Sequence, residues 1–266
     1  MQQSVKGLPS LIVLAVGLLW PSVLIAESTP QPVTLNVAVA ANFAKPLAKL
    51  ARDYEIKSGN TIRITVGSSG ALFAQIVHGA PFDVFLSADT ERPRRLESAG
   101  IAIDGSRFTY AIGNLVLWSR DPGFAGSDCK NSLERLQISR LAIANPVTAP
   151  YGAASRQALE KLGIWTEARS RLVVGENISQ ALQFTASGAA NLGLVAAAQV
   201  KNPNLPAASC LWPIPNDLHS PIEQQAVRLH TGANTQLVAK FTAFLRSDVA
   251  SAIILRHGYS LPPTVR

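Results

Sequence analysis

The chain has 266 residues, 47% of them apolar and only 15% charged, with 24 Lys and Arg against 17 Asp and Glu for a net charge of +7. That balance excludes a disordered chain, the length suffices for one large domain or two lobes with their own cores, and two cysteines exclude a disulfide-dense miniprotein or a Cys-rich zinc module. The basic excess is the property to explain, and nucleic acid, a membrane surface or a small anion would each answer to it.

Residues 1–26 read as a secretory leader. Lys6 is the only charge before Glu27, an apolar stretch from Leu11 to Ala26 follows it, and a small residue, Ala26, sits where cleavage is expected. An N-terminal membrane anchor is the alternative, but the stretch is broken by Pro21 and is shorter than the about 20 residues a span needs. Removing the leader leaves 240 residues with a net charge of +6. Export makes nucleic acid an unexpected partner. It also exposes Cys129 and Cys210 to an oxidising compartment. A bond between them would close a loop of about 80 residues and contribute roughly 4–5 kcal/mol; two buried free thiols are the alternative.

Strands and helices then alternate along the chain. Val33–Ala40 (VTLNVAVA) is a buried-type strand, and Phe43 to Ser58 carries Phe43, Leu47, Leu50, Ala51 and Tyr54 at helical spacing until Gly59. Thr61–Val66 is a strand, Ala71–Val77 a short helix, Val84–Ala88 a strand and Arg92–Ala99 a helix. Tyr110–Trp118 is a longer strand broken at Gly113-Asn114. Leu141–Ala144 is a strand, Ala153–Leu162 a helix, Leu172–Val174 a strand, Ser179–Ala186 a helix and Leu192–Val195 a strand. The stretch 201–221, rich in Pro, Asn and Ser, reads as loop. Ala226–Leu229 is a strand, and helices follow at Thr235–Arg246 and Val249–His257. This alternation predicts an α/β fold with mostly parallel sheet. The breaks near 113 and 221 are candidate lobe boundaries.

Four strand-to-helix turns share a character: Ala41-Asn42-Phe43, Gly67-Ser68-Ser69-Gly70, Pro150-Tyr151-Gly152 and Glu176-Asn177-Ile178-Ser179. A helix start offers free backbone N–H groups and a partial positive charge, and in open α/β sheets such turns lie at the carboxyl ends of the strands, where ligands bind. Asn, Ser and Tyr add neutral donors. Ordinary N-capping would explain any one of these turns. Four together, without a single Lys or Arg, suit an anion that carries no proton and is held by oriented dipoles.

The runs AVAANFAKPLAKLARDYEIKSG, VGSSGALFAQIVHGAPFDVFLSAD, GNLVLW, LAIANPVTAPYGAASRQALEKLGIW, ENISQAL and NLGLVAAAQV cover nearly the whole mature chain. In this order they resemble the molybdate-binding periplasmic proteins of ABC importers. The resemblance implies a type II periplasmic binding protein fold, with two Rossmann-like α/β lobes and a central ligand cleft. Lobe one would be 31–112 plus 223–266, and lobe two 113–222. It implies that Asn42 with its adjacent backbone N–H groups, Ser69 through hydroxyl and amide, Tyr151, and Ile178 through its backbone N–H hold the oxyanion. One branch of the family places a ligand tyrosine after the Leu-Gly-x-Val strand, where this chain has Ala196; the branch with AANF carries it in the Pro-x-Gly motif, which matches Tyr151. The implied ligand is molybdate or tungstate, with no cofactor, no metal cation site and no catalytic residue. The implied partner is the membrane permease of an ABC importer, the chain a monomer, the location the periplasm.

Rival readings are another oxyanion (sulfate, phosphate or chromate), a small organic anion, or an exported hydrolase. Gly-Ser-Ser-Gly is not the Gly-x-Ser-x-Gly of a nucleophile elbow, and His78, His219, His230 and His257 form no metal-ligand spacing. Asp83 and Asp89 flank a strand and are expected to cap turns. Hydrogenphosphate would need a carboxylate acceptor, and Glu176, the only acid in the four turns, is expected to face outward. Arg92-Pro93-Arg94-Arg95 is either a solvated helix start or a permease contact.

Overall fold

The computed structural model describes residues 1–2, 32–125, 128–230 and 235–263. The chain divides into two compact units, Met1–Gln31 and Pro32–Arg266. Of the first, Met1 and Gln2 are described and exposed. The rest of the expected leader lies outside the described residues.

In the second unit, β1 (Thr34–Ala40) runs through a 3-10 turn (Ala41–Phe43) into α1 (Ala44–Ser58). Next come β2 (Thr61–Gly67), α2 (Ser69–Val77), β3 (Val84–Ser87), α3 (Glu91–Ser98) and β4 (Phe108–Gly113). Then follow β5 (Leu115–Ser119), α4 (Cys129–Glu134), β6 (Leu141–Ala144), α5 (Pro150–Lys161), α6 (Trp165–Ala168), β7 (Leu172–Gly175), α7 (Ile178–Ser187), β8 (Leu192–Ala196), α8 (Ala197–Val200) and β9 (Cys210–Pro213). The chain closes with β10 (Ile222–Arg228), α9 (Thr235–Leu245) and α10 (Asp248–Arg256).

Among the described residues the strands form two five-stranded sheets, β2-β1-β3-β10-β4 and β7-β6-β8-β5-β9. Each lobe is one sheet with its helices, and the chain passes from the first to the second between Gly113 and Leu115 and returns between Pro213 and Ile222. The expectation of mostly parallel sheet is corrected. In each sheet two pairings are parallel (β1 with β2 and β3; β6 with β7 and β8) and two are antiparallel (β10 with β3 and β4; β5 with β8 and β9). The reason is topological. The fourth strand of each sheet does not arrive through a helical crossover of its own lobe, so the parallel rule for βαβ units does not govern it.

Most predicted elements are present with shifted ends. α5 begins at Pro150 rather than Ala153, because proline fits the first helical turn, where its missing N–H is no loss. The 201–221 loop contains a strand, β9, and three short helices (α4, α6, α8) had no counterpart in the reading. Cys129 on α4 and Cys210 on β9 form a disulfide across 81 positions of sequence.

Of the four buried clusters among the described residues, the two largest centre on the two sheets. Leu35, Val37 and Val39 of β1 pack with Leu47 and Leu50 of α1 and with Phe241, Ile253 and Ile254 from the C-terminal helices. Leu141–Ala144 of β6 pack with Leu159 of α5 and with Leu192 and Leu194 of β8. Substituting such a buried leucine by alanine costs about 2–5 kcal/mol. Register then sets the site. Ala40 pairs with Gly67 at the ends of β1 and β2, and Ala144 with Gly175 at the ends of β6 and β7, so two helix starts emerge side by side from each sheet. Among the described residues no helix is long and apolar enough to cross a membrane.

Candidate functional site

Asn42, Ser69, Tyr151 and Ile178 meet around one small cavity of about 10 Å³, together with Ser68 and Asn177. The two serines differ in role. Ser68 is the N-cap of α2, its hydroxyl accepting from the Ala71 N–H at 3.3 Å. Ser69 is fully buried, and its Oγ accepts from the Ala88 N–H at 2.9 Å, which leaves the hydroxyl proton to point elsewhere. At α7 the Asn177 side chain accepts from the N–H groups of Ser179 and Gln180, so the N–H of Ile178, the first helical residue, is passed over by its own cap.

Tyr151 is buried in the first turn of α5. Its oxygen accepts from Gln224 Nε2 at 3.3 Å. Gly113 makes room for it, since a Cβ there would collide with the Tyr151 hydroxyl and lie 2.8 Å from Gln224 Nε2. Asn42 sits in the 3-10 turn, and its side-chain amide faces into the protein. Nδ2 donates to Gln224 Oε1 at 2.7 Å and to Tyr259 Oη at 3.1 Å. With both amide protons engaged, what Asn42 can offer the cavity is its backbone N–H at the helix start.

Behind the cavity lies a buried polar cluster that the sequence reading missed. Tyr259 donates to the Asn42 carbonyl at 2.7 Å, and Tyr110 lies 3.2 Å from the Ser87 carbonyl and 3.1 Å from Gln224 Oε1. Gln224 is fully buried on β10, whose outer residues Ile222 and Ala226 are also buried. A polar residue on the apolar side of a period-2 strand was the available signal. Burial pushes the hydroxyl pKa of Tyr110, Tyr151 and Tyr259 up. For Tyr110 and Tyr151 the neighbouring tyrosines add to the rise, whereas the bond from Gln224 partly offsets it for Tyr151 and the bond from Asn42 does so for Tyr259. All three stay neutral donors across the physiological range.

Among the described residues no Lys, Arg, His, Asp or Glu lines the cavity. Glu176 is exposed, its N–H bonded to Gln180 Oε1 at 2.6 Å. Asp89 does cap, accepting from the Arg92 N–H at 2.9 Å, while Asp83 accepts from the Asn36 N–H of β1 at 2.6 Å, and burial raises its pKa. The arginine cluster is tied up residue by residue. Arg92 pairs with Asp89, Arg94 with Glu91, and Arg95 lies over the Phe73 ring at 4.8 Å. Among the described residues no group of three or more His, Cys, Asp or Glu could hold a metal. A wider crevice of about 770 Å³, bordered by Lys45, Lys201 and Arg256, opens beside Asn42 and Ser179 but is too large to clasp a single ion.

The lobes touch around the cavity. Gly70 N–H donates to the Thr148 carbonyl at 2.8 Å, Ser179 Oγ to the Ala41 carbonyl at 3.2 Å, and Arg92 to the Val147 carbonyl at 3.0 Å. The arrangement is a donor-rich, uncharged cradle between two lobes, suited to holding an anion.

The family model of bacterial extracellular solute-binding proteins matches residues 35–260. The chain belongs to that family. It is 42% identical over 231 residues to the molybdate-binding protein ModA of Azotobacter vinelandii, covering 87% of this chain and 91% of the relative. It is 43% identical over 222 residues to ModA of Rhodobacter capsulatus, covering 84% and 86%. The solved Azotobacter vinelandii periplasmic molybdate-binding protein matches its fold with a TM-score of 0.80 at 41% identity, covering 86% of this chain and 99% of that one. The two-lobed α/β architecture is therefore that of a solute-binding protein.

Proposed function

We propose that this family member captures molybdate, and tungstate with it, in the periplasm and delivers it as a monomer to the membrane permease of an ABC importer, without cofactor and without catalysis. The observation that carries this reading is the convergence of four helix starts on one cavity lined by neutral donors and by no charged side chain. The relatives named for molybdate binding support the choice of ion. In this reading the lobes are 31–112 with 223–266 and 113–222, and they close on the ion. Ser69 gives hydroxyl and N–H, Tyr151 its hydroxyl, and Asn42 and Ile178 their backbone N–H groups.

Hydrogen bonds to a charged partner contribute about 1.5–3 kcal/mol each, so these five donors to a dianion give a gross ~8–15 kcal/mol. Ordering and closure offset part of this, and a Kd between micromolar and nanomolar, about −8 to −12 kcal/mol, is reached. A cradle of donors without an acceptor disfavours hydrogenphosphate. Molybdate and sulfate are both tetrahedral dianions, so in this reading only the size of the closed site is left to separate them. Calorimetric titration with molybdate, tungstate, sulfate and phosphate tests this. Sub-micromolar molybdate and tungstate binding with weak sulfate competition is expected. Tight phosphate binding without heat from molybdate refutes it.

A further inference from the structure

The buried cluster behind the cavity carries an order of protons that can be read from its Tyr259 end. The Asn42 main-chain carbonyl can only accept, so the single proton of Tyr259, 2.7 Å away, belongs to it. The Tyr259 oxygen is then left to accept, and the Asn42 side-chain atom 3.1 Å from it has to be the amide nitrogen. The second proton of that NH₂ points at the Gln224 atom 2.7 Å away, which has to be the carbonyl oxygen. That orientation leaves the Gln224 NH₂ facing the Tyr151 oxygen, at 3.3 Å. Tyr110 has one proton for two acceptors, the Ser87 carbonyl and Gln224 Oε1, so the orientation of Gln224 is set from the Tyr259 end. Tyr151, which lines the cavity, therefore receives a proton from behind, and its own proton is left free for a partner other than Gln224.

We infer that the relay Tyr259–Asn42–Gln224 fixes Tyr151 as a donor to the anion, which makes Gln224 and Tyr259 positioning residues for capture although neither lines the cavity. The inference rests on the proposed anion site and deepens it. The relay begins on the C-terminal segment, passes through the first turn after β1 and ends on the helix start of the other lobe. A tyrosine with a free rotor can donate or accept. One held from behind has its proton free to donate, so the relay also favours oxyanions without a proton.

Gln224→Glu tests this at nearly constant shape. An ionised carboxylate accepts only; it keeps the bond from Asn42 but draws the Tyr151 proton backward and adds a negative charge behind the anion. Molybdate affinity is expected to fall about 100-fold or more where that carboxyl is ionised, and to recover as the pH is lowered, because the protonated carboxyl can donate to Tyr151 as the amide did. Burial raises the carboxyl pKa, which moves this transition toward neutral pH. The titratable groups facing it are Tyr110, Tyr151 and Tyr259, with the Asp89 charge acting on Tyr110, and all three hydroxyls stay protonated below pH 10. The pH dependence of the variant relative to the unsubstituted protein, titrated calorimetrically from pH 6 to 9, therefore reports the introduced carboxyl.

A cycle of Gln224→Met and Tyr151→Phe decides the matter if the glutamate variant does not fold. Each alone should weaken binding about 10-fold, and the pair should lose little more than Tyr151→Phe alone, since Gln224 acts through Tyr151. Tyr259→Phe should also weaken binding. Fully additive losses in the cycle, or a Gln224→Glu variant that binds as tightly as the unsubstituted protein at every pH, overturn the relay. Failure of the unsubstituted protein to bind molybdate instead overturns the proposed function.

Discussion

Replacing Ser69 by alanine removes two hydrogen bonds with separable consequences. The Oγ accepts from the buried Ala88 N–H at 2.9 Å, and losing that acceptor leaves a main-chain donor unpaired, at about 1–3 kcal/mol of stability in the empty protein. The hydroxyl proton, freed for the cavity by that same bond, is worth another 1.5–3 kcal/mol toward a charged ligand, or about 10- to 150-fold in Kd. Its neighbour supplies the control. Ser68→Ala removes the N-cap of α2, costing about 0.5–2 kcal/mol of stability with only a few-fold change in affinity. Urea unfolding of the empty protein and calorimetric titration with molybdate, run on both variants, separate the two effects. The reasoning is refuted if Ser69→Ala keeps full affinity, or if Ser68→Ala loses more affinity than Ser69→Ala.

Gly113→Ala should weaken molybdate binding by tenfold or more while leaving the two cores intact, because the added Cβ collides with the Tyr151 hydroxyl; titration beside a thermal melt checks this. Cys129→Ser with Cys210→Ser should lower stability by about 4–5 kcal/mol with little effect on affinity, since the bond joins α4 to an edge strand away from the cavity. Stability should be insensitive to the tyrosines below pH 10 and should fall above it. The folded state holds Tyr110, Tyr151 and Tyr259 protonated, so the unfolded chain ionises first. Each tyrosine then costs up to about 1.4 kcal/mol per pH unit until its folded pKa is reached. Denaturant midpoints between pH 9 and 11.5 measure that slope, and a flat profile contradicts it.

The strands of the parallel core were legible because VTLNVAVA, Thr61–Val66 and Leu141–Ala144 are short apolar or β-branched runs between turn residues. β9 was not. It is a four-residue edge strand paired only with β5, set in a stretch whose composition is that of a loop. α4 is six residues long and owes its start to the Asp128 cap rather than to any periodicity. The antiparallel fourth strands could not be read locally, because direction in a sheet depends on which lobe the chain comes from. At the site, the helix starts carried their own signal in Asn, Ser and Gly. The direction of the Asn42 amide did not, since it is decided by Gln224 and Tyr259, which lie 182 and 217 residues away.

Apart from the Gln224–Tyr151 bond, three bonds between the lobes end on main-chain carbonyls, of Ala41, Val147 and Thr148. A carbonyl survives any substitution of its own residue. At those three contacts the acceptor side is therefore insulated from drift, and Val147, with 80% of its surface exposed, is free to change. Intolerance moves to the facing partner. At Gly70 a Cβ would meet the Thr148 Cα and carbonyl oxygen, each at 2.9 Å. An alignment of orthologues should accordingly hold glycine at 70 while positions 147 and 148 wander.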